Sequence, residues 1–137
     1  FEGPRFVKFE IEPGIEHHAN SDFPIYRYAD VLLMKAECLM RLNGGSATGE
    51  ALALVNEVHT RAGLPAYTTL DLDELLDERG REFAWEAHRR QDLIRFGKFT
   101  TGMWEFMSPR STNRNIFPIP QWVLDANPGV YTQNNWK

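Results

Sequence analysis

The sequence predicts a mainly α-helical fold: a helical hairpin, a further long helix, a short N-terminal strand and an irregular C-terminal tail. Apolar residues recur with the helical period over 25–42, 48–62 and 71–96. Glycine follows each of these segments closely, which is where helices commonly end. Residues 5–12 instead alternate apolar and polar side chains, which is typical of a half-buried strand.

Length and composition indicate one globular domain. The chain has 137 residues and a net charge of -4, whereas dedicated nucleic-acid-binding proteins usually carry a basic excess. Its single cysteine excludes an intrachain disulfide, and the apolar helical surroundings predict that Cys38 is buried. No apolar run approaches the roughly 18 residues of a membrane span. The chain begins with Phe1, and we interpret it as part of a longer protein.

The first predicted helix, over 25–42, has an apolar face and a charged face. Arg27 with Asp30 and Glu37 with Arg41 lie at ion-pairing distances along the charged face. The apolar face consists of Ile25, Tyr28, Ala29, Leu32, Leu33, Ala36, Leu39 and Met40.

The second and third predicted helices have recognisable ends. Thr48 can cap the helix over 48–62, and Gly63 ends it. Because only about five small or polar residues separate the first two helices, we expect an antiparallel hairpin. Asp71 and Glu74 form a capping box for the helix over 71–96.

The tail after Gly97 is predicted to be mostly loop. Pro118 and Pro120 favour extended backbone, and Pro120 can begin a short helix that runs through Ala126.

Residues 78–99, ERGREFAWEAHRRQDLIRFGKF, combine acidic, basic and aromatic side chains. On a continuous helix, these residues would place apolar side chains on two sides, with charged side chains next to each apolar side. This pattern indicates a helix that packs against other parts of the protein on both sides. We therefore predict a partly buried polar network of Arg27, Asp30, Arg79, Glu82, Glu86, Arg89, Arg90 and Asp92.

Other functions for these residues are less consistent with their neighbours in the sequence. Glu82 and Glu86 could serve as the two carboxylates of a glycoside hydrolase, but arginine neighbours lower a carboxylate pKa and favour ion pairs instead. A basic-aromatic surface for nucleic acid is interrupted by Glu86 and Asp92. His17, His18, His59 and His88 signal no set of converging metal ligands, so we predict surface or loop positions for them. We predict no metal and no cofactor.

Four segments carry a resemblance to a known family. The first segment, within 26–37, is YRYADVLLM followed by AE, and the second, within 55–65, contains VNEV and RAGLP. The third, within 78–98, contains ER, REFA, E, HR, DL and FGK. The fourth, within 117–134, contains FPIPQ, DANP and QN. In this order they resemble the C-terminal part of the SusD-like (RagB/SusD) family. The chain departs from the family pattern at Gly80, at Ala87, where glycine is usual, and at Arg90-Gln91.

The resemblance implies tetratricopeptide-like helix pairs, with residues 1–137 as a single C-terminal fragment of a larger protein. It also implies a nutrient-binding lipoprotein of the Bacteroidetes outer membrane, anchored to the cell surface through a part of the chain outside this sequence. Such a protein binds a glycan or other nutrient for polysaccharide utilisation, works with a SusC-like TonB-dependent transporter, and is not an enzyme.

Three functions therefore stand beside one another: capture of a glycan or peptide nutrient for import, a helical-repeat scaffold that binds a protein, and a glycoside hydrolase. The tail motif FPIP…ANP favours the first, since generic helical-repeat scaffolds lack it. Trp104 and Phe106 are candidates for stacking on sugar faces; the alternative is that they only pack the loop onto the core.

Overall fold

The computed structural model describes residues 8–9, 13–14, 22–103 and 108–136. It confirms the predicted mainly α-helical class. The helices are α1 (Tyr28–Leu42), α2 (Gly49–Arg61), α3 (Leu72–Glu82), α4 (Arg89–Arg95) and α5 (Gln121–Ala126), with a 3-10 helix at Thr112–Asn115.

The predicted N-terminal strand lies mostly outside the described residues, which include only 8 and 9 of its eight positions. Among the described residues, β pairing is limited to an isolated bridge between Ser46 and Asp71. None of the helices in the described ranges is long and apolar enough to cross a membrane.

The chain forms two compact units, Phe1–Arg89 and Arg90–Lys137. In the first unit, α1 and α2 pack as the predicted hairpin and α3 packs against both. Each large apolar side chain that is fully buried contributes about 1.5–3 kcal/mol. The buried core consists of Leu32, Leu33, Ala36, Met40, Ala51, Val55, Val58, Leu70, Leu75 and Phe83.

The exposure of α1 differs from the prediction at both faces. Tyr28 and Cys38 are exposed, so the buried position predicted for Cys38 is wrong. Asp30 and Glu37, predicted on the charged face, are buried. Helix periodicity identified the side of α1 that faces the core, but it did not show that α3 pairs with Asp30 and covers it.

Local signals placed the ends of α2 and the start of α3. Gly63 adopts φ 81°, a left-handed conformation that glycine accepts without a side-chain clash. Thr48 is the N-cap of α2 as predicted, although its side chain makes no capping hydrogen bond. The Oδ1 atom of Asp71 accepts a hydrogen bond from the Glu74 amide at 2.9 Å, which forms one half of the predicted capping box.

Two helices replace the single helix predicted over 71–96. The chain leaves α3 at Glu82 and enters α4 at Arg89. Between them, Trp85 and Ala87 have φ values of 65° and 62°, which costs a non-glycine residue roughly 1–2 kcal/mol each. The turn brings Glu86 to a buried position, where it forms ion pairs with Arg27 and Lys8.

α4 ends at Arg95, and Gly97 (φ 71°) follows it where the sequence predicted the end of a helix. The short helix after Pro120 is present as α5. The tail is held by side-chain hydrogen bonds: Gln133 donates to the Ile119 carbonyl and accepts from the Ile119 amide, at 2.9 and 2.8 Å. Asn134 donates to the Phe117 carbonyl at 2.8 Å. These bonds tie the final residues to the proline-rich segment.

Candidate functional site

A buried ion pair joins α1 to α3. Oδ1 of Asp30 lies 2.9 Å from Nη2 of Arg79, and both side chains are only 2% exposed. The sequence predicted Asp30 as a partner of Arg27 three residues before it. The structure instead directs Asp30 towards α3, because this residue lies on the side of α1 that α3 covers.

A second cluster surrounds Glu86 in the turn after α3. Arg27 makes a bidentate contact with it, from Nε at 2.7 Å and from Nη2 at 2.9 Å. Lys8 forms a further ion pair with Glu86. Arg27 also reaches the Glu82 carboxylate at 2.8 Å, and Arg61 contacts the same carboxylate at 2.8 Å. Residues from four parts of the chain thus meet at two carboxylates.

This geometry bears on acid–base chemistry at Glu86. Burial acts to raise the pKa of Glu86, but hydrogen bonds from Arg27 and Lys8 outweigh it, and the pKa is lowered. The hydrogen bond to Glu86 in turn raises the pKa of Arg27. A general acid in glycoside hydrolysis must hold a proton near neutral pH. Glu86 is held ionised, and Glu82 is paired with two arginines.

Phe83 connects the two charged groups. The Arg27 and Arg79 guanidinium carbons lie 5.1 and 5.0 Å from its ring centroid, within cation–π range. His88, in the connection before α4, packs on the same ring with centroids 4.8 Å apart. Arg27 just before α1, Arg79 near the end of α3 and His88 before α4 therefore contact one buried aromatic ring.

A further polar cluster lies between α2 and α3. Nδ1 of His59 is 3.0 Å from the Glu78 carboxylate, and the His59 ring packs on Tyr67. The Tyr67 hydroxyl donates to Glu74 at 2.7 Å, and Arg81 contacts Glu74 and Glu78 at 2.6 and 2.9 Å. Burial and the hydrogen bond to Glu74 raise the pKa of Tyr67, so the hydroxyl remains a donor.

Sequence reasoning missed this cluster. The surface or loop position predicted for His59 is wrong, since it is a buried helical residue. Its spacing was an available signal, because His59 follows the core residue Val55 by four positions on α2. His88 does lie in a loop, but it is buried. No comparable local pattern marks Tyr67 as a partner of α3.

Arg89 folds back onto α3. Its Nη1 donates to the Leu76 carbonyl at 2.6 Å, and its Nη2 lies 3.2 Å from Asp77. A Cβ atom at Gly80 would lie 2.7 Å from Arg89 Nη1. The glycine that departs from the family pattern therefore makes room for this guanidinium.

The remaining predicted network residues belong to the second unit. Asp92 is buried and accepts a hydrogen bond from Arg95 at 2.7 Å. Arg90 stacks on Phe117, with its guanidinium carbon 3.9 Å from the ring centroid. The eight residues predicted as one network thus form several separate groups, and Arg89, Arg90 and Arg95 each make intramolecular contacts.

The second unit also contains an open cavity of about 280 Å³. Its walls include three arginines, Arg90, Arg110 and Arg114, and three aromatic residues, Phe99, Phe117 and Trp136. Trp104 and Phe106, the sequence-based candidates for sugar stacking, lie outside the described residues. Within the part of the chain that the structure describes, no group of three or more His, Cys, Asp or Glu side chains is arranged to hold a metal ion.

Comparison with known proteins places this arrangement in context. Residues 12–115 match the model of the SusD family. The starch-binding protein SusD of Bacteroides thetaiotaomicron is 33% identical over 129 residues, an alignment that covers 88% of this chain and 22% of the relative.

Solved structures give the same result. Surface glycan-binding protein A from Bacteroides thetaiotaomicron, in complex with laminarihexaose, has a TM-score of 0.74 and 36% identity over 85% of this chain and 25% of its own. A laminarin-binding SusD-like protein has a TM-score of 0.63 and 32% identity, and the match covers 82% of this chain and 22% of that protein. The chain spans about a quarter of the length of these proteins.

Proposed function

The chain belongs to the SusD family, and on that basis we propose that it forms part of a cell-surface protein that binds a glycan. The observation that supports this most strongly is its likeness to a glycan-binding protein solved with laminarihexaose, at 36% identity and a TM-score of 0.74. A curated relative is a starch-binding protein. Two glucan-binding relatives therefore share the helical region represented here.

The proposed protein binds its glycan without cleaving it. Glu82 and Glu86 are the acidic pair that the sequence offered for hydrolysis, and both are engaged by cationic side chains. The low pKa of Glu86 supports a structural role. Its position in a buried turn also keeps its carboxylate away from a substrate in solvent.

Family membership supports an outer-membrane location for the whole protein, with a lipid anchor at the cell surface. It also supports a SusC-like TonB-dependent transporter as the partner that receives the glycan. Co-purification from detergent-solubilised outer membranes, with a tag on this protein, tests that partnership. We expect recovery of a TonB-dependent transporter in the eluate.

The binding function is tested with the native full-length protein by isothermal titration calorimetry. The panel includes laminarihexaose, maltohexaose and hexagalacturonic acid, and chromatography of the same mixtures measures released fragments. We expect saturable binding of at least one oligosaccharide and no new reducing ends.

Two results would contradict the proposal. Failure of the folded protein to bind any oligosaccharide in a broad glycan panel would favour the scaffold alternative. Time-dependent fragment release that is lost in Glu86→Gln, with folding intact, would favour the hydrolase.

A further inference from the structure

The cavity of the second unit has the size of a site for one ring-sized group. Its volume of about 280 Å³ is just below the roughly 300–1,000 Å³ found for small-molecule sites. Aromatic residues Phe99, Phe117 and Trp136 provide apolar wall surface. A single sugar residue with a polar substituent therefore suits this space better than an extended helix or strand.

Arg90 organises one wall of this cavity. Its guanidinium stacks on Phe117 and lies 5.0 Å from the Phe99 ring centroid. Its Nη2 atom donates to the carbonyls of Arg114 and Asn115 at 3.2 and 3.3 Å. The contacts of Arg90 are thus largely used to hold the backbone that carries Arg114.

Arg110 and Arg114 differ from Arg90 in the contacts that their guanidinium groups make with the described residues. Both line the cavity, both are exposed, and neither side chain donates to an acceptor among the described residues. None of the described residues that line the cavity is acidic. An arginine fork matches carboxylate and sulfate groups in shape and charge.

The charge of the second unit has the sign that such a ligand requires. Its sequence contains six basic and three acidic residues, whereas the first unit contains nine basic and sixteen acidic residues. The chain as a whole is acidic, so the positive character is local. Local positive charge raises the concentration of an anionic ligand near a site.

We infer that this cavity binds a sugar residue that bears an oxyanion, either a uronate carboxylate or a sulfate ester. Arg110 and Arg114 contact the oxyanion, the aromatic walls contact the sugar ring, and Arg90 positions Arg114. This inference rests on the proposed glycan-binding function and specifies a ligand class for it. The stated ligand follows from charge complementarity combined with a cavity of single-ring size.

The inference is tested by calorimetry on the native full-length protein with four matched probes. Laminarihexaose is neutral, hexagalacturonic acid carries carboxylates, sulfated laminarihexaose carries sulfates, and hexaglutamate is an acidic peptide. We expect at least one anionic hexasaccharide to bind about tenfold more tightly than laminarihexaose at low salt, and the two anionic sugars to distinguish carboxylate from sulfate. High salt should reduce this advantage.

Single variants Arg110→Gln and Arg114→Gln locate the binding. Each is expected to weaken binding of the preferred anionic sugar about tenfold, since a charge-assisted hydrogen bond is lost. The affinity for laminarihexaose is measured in parallel. Lys35→Gln is the matched control, because it removes one exposed positive charge from the first unit. It should leave both affinities unchanged.

The possible failures are distinguishable. If the protein binds laminarihexaose but shows no preference for either anionic sugar, the inference is overturned while the proposed function stands. If the anionic preference persists in both arginine variants, the cavity is not the site. Equal binding of hexaglutamate overturns the sugar assignment. Binding of no oligosaccharide overturns the proposed function as well.

Discussion

The two units of this molecule use arginine in different ways. In the first unit, Arg27 and Arg79 contact carboxylates that are almost fully buried. In the second, Arg110 and Arg114 line an open cavity without an acceptor among the described residues. An arginine paired with a buried carboxylate is committed to the fold, because loss of either partner leaves the other charge in a poor environment. An exposed, unpaired arginine remains available to a ligand.

The largest expected effect follows from the Asp30–Arg79 pair. Asp30→Ala should destabilise the packing of α1 on α3 by about 3–5 kcal/mol, because it removes the carboxylate from a buried guanidinium. Hydrogen exchange of α1 and α3 amides in the native full-length protein measures this local free energy of opening.

The matched control is Lys35→Ala, which breaks an exposed ion pair with Glu50 and should cost less than about 1 kcal/mol. A double replacement of Asp30 by Leu and Arg79 by Met should recover much of the loss, since an apolar pair can replace a buried ion pair. If Asp30→Ala and Lys35→Ala reduced the free energy of opening equally, burial would not determine how much these ion pairs contribute to stability.

The next effect concerns Glu86 and its dependence on pH. Glu86→Gln should cost about 2–4 kcal/mol at pH 7, because the amide cannot match the charges of Arg27 and Lys8. The pKa of Glu86 is lowered from its ordinary 4.5 in the folded protein. A carboxylate whose pKa is lowered by folding contributes to stability at pH values above its pKa in the unfolded chain. This contribution is lost as the pH falls through the pKa of the folded state.

We therefore expect the stability difference between wild type and Glu86→Gln to be constant from pH 6 to 8. It should shrink below about pH 4.5 as the wild-type carboxylate takes up a proton. Urea denaturation of both proteins across this range provides the measurement. A difference that is unchanged at pH 3 would mean that the ionised state of Glu86 is not the stabilising feature.

A smaller effect is expected at Gly80 on α3. Alanine normally stabilises a helix interior by about 0.5–1 kcal/mol relative to glycine. In wild type, the new Cβ would meet the Arg89 guanidinium and disturb its bond to Leu76, which offsets that gain.

Gly80→Ala should therefore be more stabilising in an Arg89→Ala background than in wild type, by about 0.5 kcal/mol or more. Thermal unfolding of the four proteins of this double-mutant cycle gives the coupling energy. Identical effects of Gly80→Ala in both backgrounds would show that the alanine side chain does not disturb the position of the Arg89 guanidinium.

The smallest expected effect on stability completes the comparison between the units. Arg110→Gln and Arg114→Gln should each change the free energy of unfolding by less than about 0.5 kcal/mol, since they remove exposed side chains without described partners. Urea denaturation tests this, with Asp30→Ala as the positive control. A loss above 1 kcal/mol would place these arginines among the structural residues instead.

Much of the fold could be predicted from local sequence patterns. The helix period identified the hairpin, Gly63 and Gly97 marked helix ends, and Pro120 marked the start of α5. The resemblance of four ordered segments also identified the family that the family model matches over residues 12–115. These features depend on residues that are close together in the sequence, so they can be recognised from the sequence alone.

The candidate cavity was much harder to predict. Arg90, Arg110 and Trp136 are separated by many residues, and no spacing rule connects them. The tail was predicted to be irregular, but the amide groups of Gln133 and Asn134 hold it to the proline-rich segment. Those long-range hydrogen bonds depend on individual side chains, and they produce no periodic pattern in the sequence.

The sequence alone determined α1, α2, α5, the start of α3 and the apolar stripe that forms the core, because helix period and backbone preferences are local properties. Only the tertiary structure decided which charged side chains are buried and which residues they pair with. It turned the chain through left-handed conformations at Trp85 and Ala87 so that Glu86 meets Arg27, where helical continuity predicted a straight segment. The physical reason is that Arg27 and Glu86 are 59 positions apart in the sequence, and a local helix period cannot encode such a contact.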